Sequence, residues 1–155
     1  PQTFGGGHEG GMRSGTLATH QIVGMGEAFA LSESLRVEEQ KRILAYRNRL
    51  WSHIKDLPGI SLNGDETRRI PGNLNLSFKG LDGDSLLLAL SDLALSRTSA
   101  CSSASIQPSY VLRAIGLSEE LAYASLRISI GRFTKESDID YAISLIREKV
   151  KLLQS

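Results

Sequence analysis

From Leu17 onward the apolar positions fall at helical spacing. Ile22, Met25 and Phe29 recur three and four residues apart, and Leu35, Ile43, Leu50 and Ile54 carry the pattern to a stop at Pro58-Gly59. This predicts one long helix or two in sequence over 17–57, with the polar run "SLRVEEQKR" marking an exposed middle. A helix of this length commonly links two parts of a larger body. Beyond it the period changes to two. "ISLNGD" (60–65) reads as a short strand entering a turn, and "NLNLSF" (73–78) puts Leu74, Leu76 and Phe78 on one face. In "SLRISIG" (125–131), Leu126, Ile128 and Ile130 face one way, Arg127 and Ser129 the other.

Helical segments fall between and after these strands. Asp84 is placed to cap a helix over 85–93, and "ALSR" (94–97) reads as a further short strand. Pro108 opens a helix in "PSYVLRAIG" that Gly116 closes. Thr134 precedes a last helix with a stripe of Ile139, Ile143, Ile146, Val150 and Leu153. Strands with one polar face suit a mainly antiparallel sheet. The predicted fold class is α+β: a small sheet of three to four strands covered by helices, preceded by a long linking helix. Residues 1–16 form a glycine-rich loop, 17–57 the linking helix or helix pair, and 58–155 a small domain containing a cysteine loop at 96–106.

Composition adds limits rather than detail. The 155 residues are 41% hydrophobic and 23% charged, enough for one globular core. A net charge of +1 gives no reason to expect nucleic acid or an anionic membrane as partner. No apolar run reaches the roughly 18 residues that a bilayer requires. The chain has one cysteine, which excludes an internal disulfide and suits a reducing compartment. It begins at Pro1, so an upstream targeting segment is neither seen nor excluded.

Three features carry candidate chemistry. Cys101 sits in "SRTSACSSAS", among small polar residues that offer little apolar cover, so an exposed thiol on a mobile loop is expected. A small buried residue is the alternative. Arg127, on the polar face of an otherwise apolar strand, is either an ordinary surface residue or a guanidinium fixed to grip a carboxylate. Arg132, just beyond the strand, reads as structural or surface. In the N-terminal loop, the hydroxyls of Ser14 and Thr16 precede a helix start and could hold a phosphate. "GGGHEGG" lacks the ending of a nucleotide-binding P-loop, and "GMRSGT" has no strand before it. His8, His20 and His53 lack ligand spacing, so no intrinsic metal site is expected. Trp51 reads as a packing residue.

Four segments in one order, "GGGHEGGMRSGT", "SACSSAS", "PSYVLRAIGL" and "SLRISIGRFT", together resemble the C-terminal part of the cysteine desulfurases, in the IscS/NifS-like branch that serves iron–sulfur cluster assembly. The resemblance covers essentially the whole chain. It implies the C-terminal small domain of a fold-type I, pyridoxal-phosphate-dependent homodimer, with 1–16 belonging to the large domain and dimer interface. The implied reaction removes sulfur from L-cysteine, leaving L-alanine and an enzyme persulfide that passes to an iron–sulfur scaffold protein or other acceptors. Cys101 would form the persulfide, Arg127 would bind the substrate carboxylate, and Thr16 would reach the phosphate of the partner subunit's cofactor. The Cys101 persulfide could transiently ligate a cluster on a scaffold partner. Nucleic acid would be met only indirectly, through tRNA-thiolation acceptors, and the expected location is cytoplasmic.

Two departures stand out. Where the family usually has "SGSAC", this chain has "SRTSAC", so Arg97 brings positive charge four residues before the thiol, where it could favour the thiolate. The family's cofactor lysine lies upstream of the match, so the chain reads as a C-terminal fragment, inactive alone. The alternative is a stand-alone, non-enzymatic persulfide relay or docking module.

Overall fold

The alternating segment Asn73–Phe78 becomes the middle strand, β2, of a three-stranded sheet in which β1 (Ile60–Leu62) and β3 (Ser125–Ser129) flank it, both antiparallel. The structure, a computed structural model, describes residues 1–97 and 108–155. The cysteine segment with Cys101 lies outside the described residues. The chain divides into two units, Pro1–Val37 and Glu38–Ser155, and the sheet belongs to the second.

Register follows from which side chains must leave water. Leu76 stands opposite Leu62 and Leu126, and Leu74 opposite Ile128. With Phe78 they form an apolar face, the sheet's share of a core that also contains Leu50, Ile54, Leu86, Leu90, Ile139, Ile146 and Val150. Trp51 is partly buried against this core. The final helix, α5 (Glu136–Gln154), supplies the expected stripe, with Ile143 and Leu153 at its partly buried margin. The opposite face is polar and satisfied. Asn63 donates to Asn75 at 2.8 Å and to the Ser125 hydroxyl at 3.1 Å, while the Ser77 hydroxyl donates to Asn63 Oδ1 at 2.8 Å. Ser125 donates in turn to the Leu121 carbonyl at 2.6 Å. Ser77 and Ser125 are fully buried, and pairing is what makes that tolerable.

The long helical pattern is a single helix, α1 (Thr19–Ile54). Within the second unit its C-terminal half is fastened to the turn after β3. Arg42 donates to the carbonyls of Arg132 (2.7 Å) and Thr134 (3.0 Å), and Arg132 pairs with both oxygens of Glu39 at 2.5 and 3.0 Å. Gly72 allows this approach, because a Cβ there would fall on the Ile130 carbonyl and the Ile43 methyl. Of the two roles the sequence left open for Arg132, structural or surface, the Glu39 pair favours the structural one. Among the described residues, no helix is long and apolar enough to cross a membrane.

Four local expectations need correction. Helix α2 (Gly83–Ala89) is capped by Asp82, whose carboxylate accepts the Ser85 N–H at 2.8 Å; Asp84 lies inside the first turn. The N-cap of α5 is Lys135, whose N–H donates to Asp138 at 2.9 Å, while the Thr134 hydroxyl turns back to accept from Gly131. Helix α3 (Tyr110–Ala114) starts after Ser109, not at Pro108, though Gly116 follows its end with φ +99° as expected. The strand expected at 94–97 is a single bridge between Ser96 and Arg127. One short helix, α4 (Glu119–Tyr123), had no counterpart in the pattern reading.

In the first unit, the glycine-rich loop folds back on itself. Thr3 and Arg13 form a bridge, and a one-turn 3-10 helix spans Glu9–Gly11. The apolar residues Ile22, Val23, Met25 and Phe29 on the first half of α1 are all exposed, Phe29 by 71%.

Candidate active site

Arg127 sits at the centre of β3, an edge strand. Leu126 and Ile128 anchor it in the core, and its own side chain points to the exposed polar face opposite Asn75. Its backbone is held on both sides. β2 takes one edge, and on the other the Arg127 N–H donates to the Ser96 carbonyl at 2.6 Å, while the Ser96 N–H returns to Arg127 at 3.2 Å. Among the described residues no hydrogen bond or ion pair engages the guanidinium. A rigid backbone carrying an always-charged fork that no described residue engages is suited to bidentate capture of a carboxylate.

The Ser96 bridge also marks where the described chain enters the cysteine segment. The next residue, Arg97, is only 17% exposed at its side chain. Its guanidinium pairs with Asp84 and lies 4.5 Å from the centre of the Tyr123 ring, and the Tyr123 hydroxyl donates to the same Asp84 carboxylate. That bond pushes the Tyr123 phenol above its ordinary value, since ionising it would set two anions together. Gly83 makes room, as a Cβ there would strike the Tyr123 carbonyl and crowd Arg97. The charge that sequence reading offered to the thiolate is therefore already matched by Asp84.

In the first unit, Thr16 is exposed just before α1, and Ser14 is not available as a phosphate ligand. Ser14 is buried, and its hydroxyl donates to the Gly6 carbonyl at 2.6 Å. Arg13, which the sequence reading passed over inside "GMRSGT", donates to the Gly15 and Thr16 carbonyls at 3.0 and 3.2 Å. The loop thus carries an exposed hydroxyl on a residue whose carbonyl Arg13 holds, and hydroxyl and guanidinium are donors of the kind that fit a phosphate. Of the three expected site residues, Thr16 lies in the first unit, Arg127 in the second, and Cys101 outside the described residues. The clamp of Arg97, Asp84 and Tyr123 was missed because its members are far apart in sequence. His53 is engaged within its own helix, with Nδ1 2.8 Å from the Arg49 carbonyl.

This arrangement, a small antiparallel sheet and helices behind a long helix, is one found in the NifS-like proteins. The chain is similar to the NifS-like protein from Rickettsia africae (27% identity, TM-score 0.83, 97% of this chain and 40% of that one). A second NifS-like protein matches at 28% identity and TM-score 0.85, over 99% of this chain and 39% of that one. The sequence profile described as Aminotransferase class-V matches residues 7–142, and the chain belongs to that family. Among curated relatives, the cysteine desulfurase IscS of Aeromonas hydrophila is 60% identical over 153 residues, 99% of this chain. That of Vibrio cholerae is 56% identical over 154 residues. The chain spans about 38% of the length of these relatives.

Proposed function

We propose that these residues serve as the small-domain part of a pyridoxal-phosphate-dependent cysteine desulfurase. The observation that carries this reading is the 60% identity to a cysteine desulfurase over 99% of the chain, joined to an Arg127 whose guanidinium is fixed on a strand and engaged by no described neighbour. A cofactor of this kind withdraws electrons from a bound amino acid and so makes its side-chain bonds labile. The Thr16 hydroxyl, with Arg13 beside it, would hold the cofactor phosphate in the partner subunit of a homodimer. The exposed Ile22, Val23, Met25 and Phe29 support a helix face that the cofactor-bearing large domain covers in a chain of the relatives' length.

Arg127 would bind the L-cysteine carboxylate through two parallel N–H···O bonds and so orient the substrate thiol. Cys101, as thiolate, would attack that sulfur. The new S–S bond forms as the substrate C–S bond breaks, and the electron pair leaving with carbon is protonated to give the methyl group of L-alanine. The product on the protein is the Cys101 persulfide, passed on to an iron–sulfur scaffold or another sulfur acceptor. A lone cysteine, with no disulfide to maintain, suits work in the cytoplasm.

The test is turnover by the full-length protein. L-alanine and persulfide should appear in equal amounts from L-cysteine, and no alanine should form from L-serine, whose oxygen a thiolate does not accept. Alanine release without persulfide would contradict the reading.

A further inference from the structure

We infer that Asn75 is a second carboxylate-binding residue: its side-chain nitrogen, turned by Asn63 toward the Arg127 side of the sheet, donates to the same substrate carboxylate. The inference rests on the reading of Arg127 as the group that grips that carboxylate. It adds a donor whose orientation the fold sets.

Strand pairing puts the two side chains next to each other. Asn75 of β2 stands directly opposite Arg127 of β3. Neither backbone is spent on the other. Arg127 turns its N–H and C=O to Ser96, and the Asn75 C=O accepts the Asn63 N–H at 2.8 Å. The two therefore form a non-hydrogen-bonded pair, the kind that brings opposed Cα atoms to about 4.5 Å and their side chains closest. Both lie on the polar face, where Arg127 is exposed and Asn75 half-buried.

Proton counting then decides which way the Asn75 amide faces. The Ser125 hydroxyl spends its one proton on the Leu121 carbonyl, so toward Asn63 it accepts. The Asn63 atom 3.1 Å from it is therefore Nδ2, and the second Nδ2 proton goes to Asn75 at 2.8 Å. Ser77, donating to Asn63 Oδ1, fixes the same orientation from the other end. Asn75 must meet Asn63 with its oxygen. A planar carboxamide carries its oxygen and nitrogen on opposite sides of the Cβ–Cγ axis. Asn63 follows β1, so the Asn75 nitrogen is turned toward β3, where Arg127 stands. Among the described residues nothing accepts from that nitrogen.

Two neighbouring donors cannot satisfy each other, but a carboxylate satisfies both. Each of its oxygens has two lone pairs. Arg127 takes the two oxygens in parallel, and Asn75 adds a third N–H···O bond to one of them. A neutral group with a single oxygen would leave part of this donor set empty.

The experiment uses the full-length holoenzyme, with KM and kcat for L-cysteine read beside a thermal melt. Asn75→Ala should raise KM about tenfold, the worth of one hydrogen bond to a charged group, with the loss in KM rather than in kcat. Asn75→Asp keeps an oxygen for Asn63 but sets an anion where the donor stood. It should raise KM about a hundredfold, yet melt closer to the wild type than Asn75→Ala does. Affinity and stability then run in opposite orders, which a merely structural asparagine would not produce. Asn63→Asp removes the donor that turns the Asn75 amide. It should raise KM about tenfold alone, but by less than about twofold once Asn75→Ala is present. Should the buried Asn63→Asp not fold, the two Asn75 variants carry the test alone. An unchanged KM in Asn75→Ala would overturn the inference, and so would KM and melting temperature that worsen in step across the Asn75 variants. Full additivity of Asn63→Asp and Asn75→Ala would overturn it too. Arg127→Ala separates this from the proposed function. If it leaves KM unchanged, the reading of the carboxylate site fails and the inference with it; if it raises KM and Asn75→Ala does not, the inference alone fails.

Discussion

Ser96 and Arg127 exchange both of their backbone hydrogen bonds, at 2.6 and 3.2 Å. This single bridge joins the root of the cysteine segment to the strand whose one exposed arginine is suited to a carboxylate. In a desulfurase the thiol and the carboxylate must converge on one small amino acid. The bridge makes their two supports part of one edge.

If Arg127 binds the substrate carboxylate, its removal should be felt in binding and not in folding. Arg127→Ala in the full-length enzyme is expected to raise KM for L-cysteine about ten- to hundredfold, the range for losing a charge-assisted bidentate pair. Its melting temperature should stay close to that of the wild type, since the side chain is exposed and makes no hydrogen bond or ion pair with a described residue. Steady-state kinetics beside a thermal melt check both. A large loss of stability with KM unchanged would point to a structural arginine.

Thr16 gives a cofactor prediction. If Thr16 holds the cofactor phosphate, Thr16→Val, which keeps the shape and removes the hydroxyl, should make the full-length protein retain pyridoxal phosphate about tenfold less tightly, the worth of one hydrogen bond to a charged group. Dialysis followed by cofactor absorbance measures this. Ser14→Ala should behave differently. It leaves the Gly6 carbonyl without its donor and should loosen the loop, which proteolysis between residues 1 and 16 would report.

Gly72 tests the packing behind β3. Gly72→Ala should destabilise the fold by about 1–3 kcal/mol, because the added methyl meets the Ile130 carbonyl, which, unlike the Ile43 methyl it also meets, is backbone and cannot turn away. Leu76→Ala, at a fully buried position, should cost about 2–5 kcal/mol. Chemical denaturation of each variant gives the values.

Acid stability follows from the turn after β1. Asp65 accepts the backbone N–H groups of Arg68 (2.7 Å) and Thr67 (2.8 Å), then the Arg68 and Thr67 side chains. Those bonds hold its carboxyl well below the ordinary 3.8, with the Arg68 N–H the largest cause. A folded pKa below the unfolded one stabilises above the unfolded value, and that stability is lost as pH falls through the folded value. Wild type should therefore exceed Asp65→Asn in stability near neutral pH by a constant margin. The margin should narrow only below about pH 4, which denaturation curves from pH 7 to 2.5 would show.

Much of this fold was legible in the sequence where a single period dominates. The segment 73–78 alternates without interruption, and the structure gives a strand with those same bounds. Helix ends were harder, because neighbouring polar residues compete. Asp82 precedes α2 and Asp84 lies in its first turn, and only the turn geometry decides which one reaches Ser85. Helix α4 did carry a signal, Ser118 before two glutamates, and the Ser118 hydroxyl accepts the Leu121 N–H at 3.3 Å. At five residues it was too short to show a helical period. Arg127 was legible as a charge breaking an apolar strand. The Arg97 clamp was not, since nothing local in "SRTSAC" tells of an aspartate 13 positions earlier or a tyrosine beyond α3.

The central claim is that Cys101 takes sulfur from L-cysteine. The direct measurement is mass spectrometry of the peptide containing Cys101 after one turnover of the full-length enzyme with sulfur-labelled L-cysteine. The account predicts one labelled sulfur on Cys101, and none on any residue when Cys101→Ser is treated alike with its cofactor in place. Labelled sulfur on another residue, with Cys101 unmodified, would contradict it.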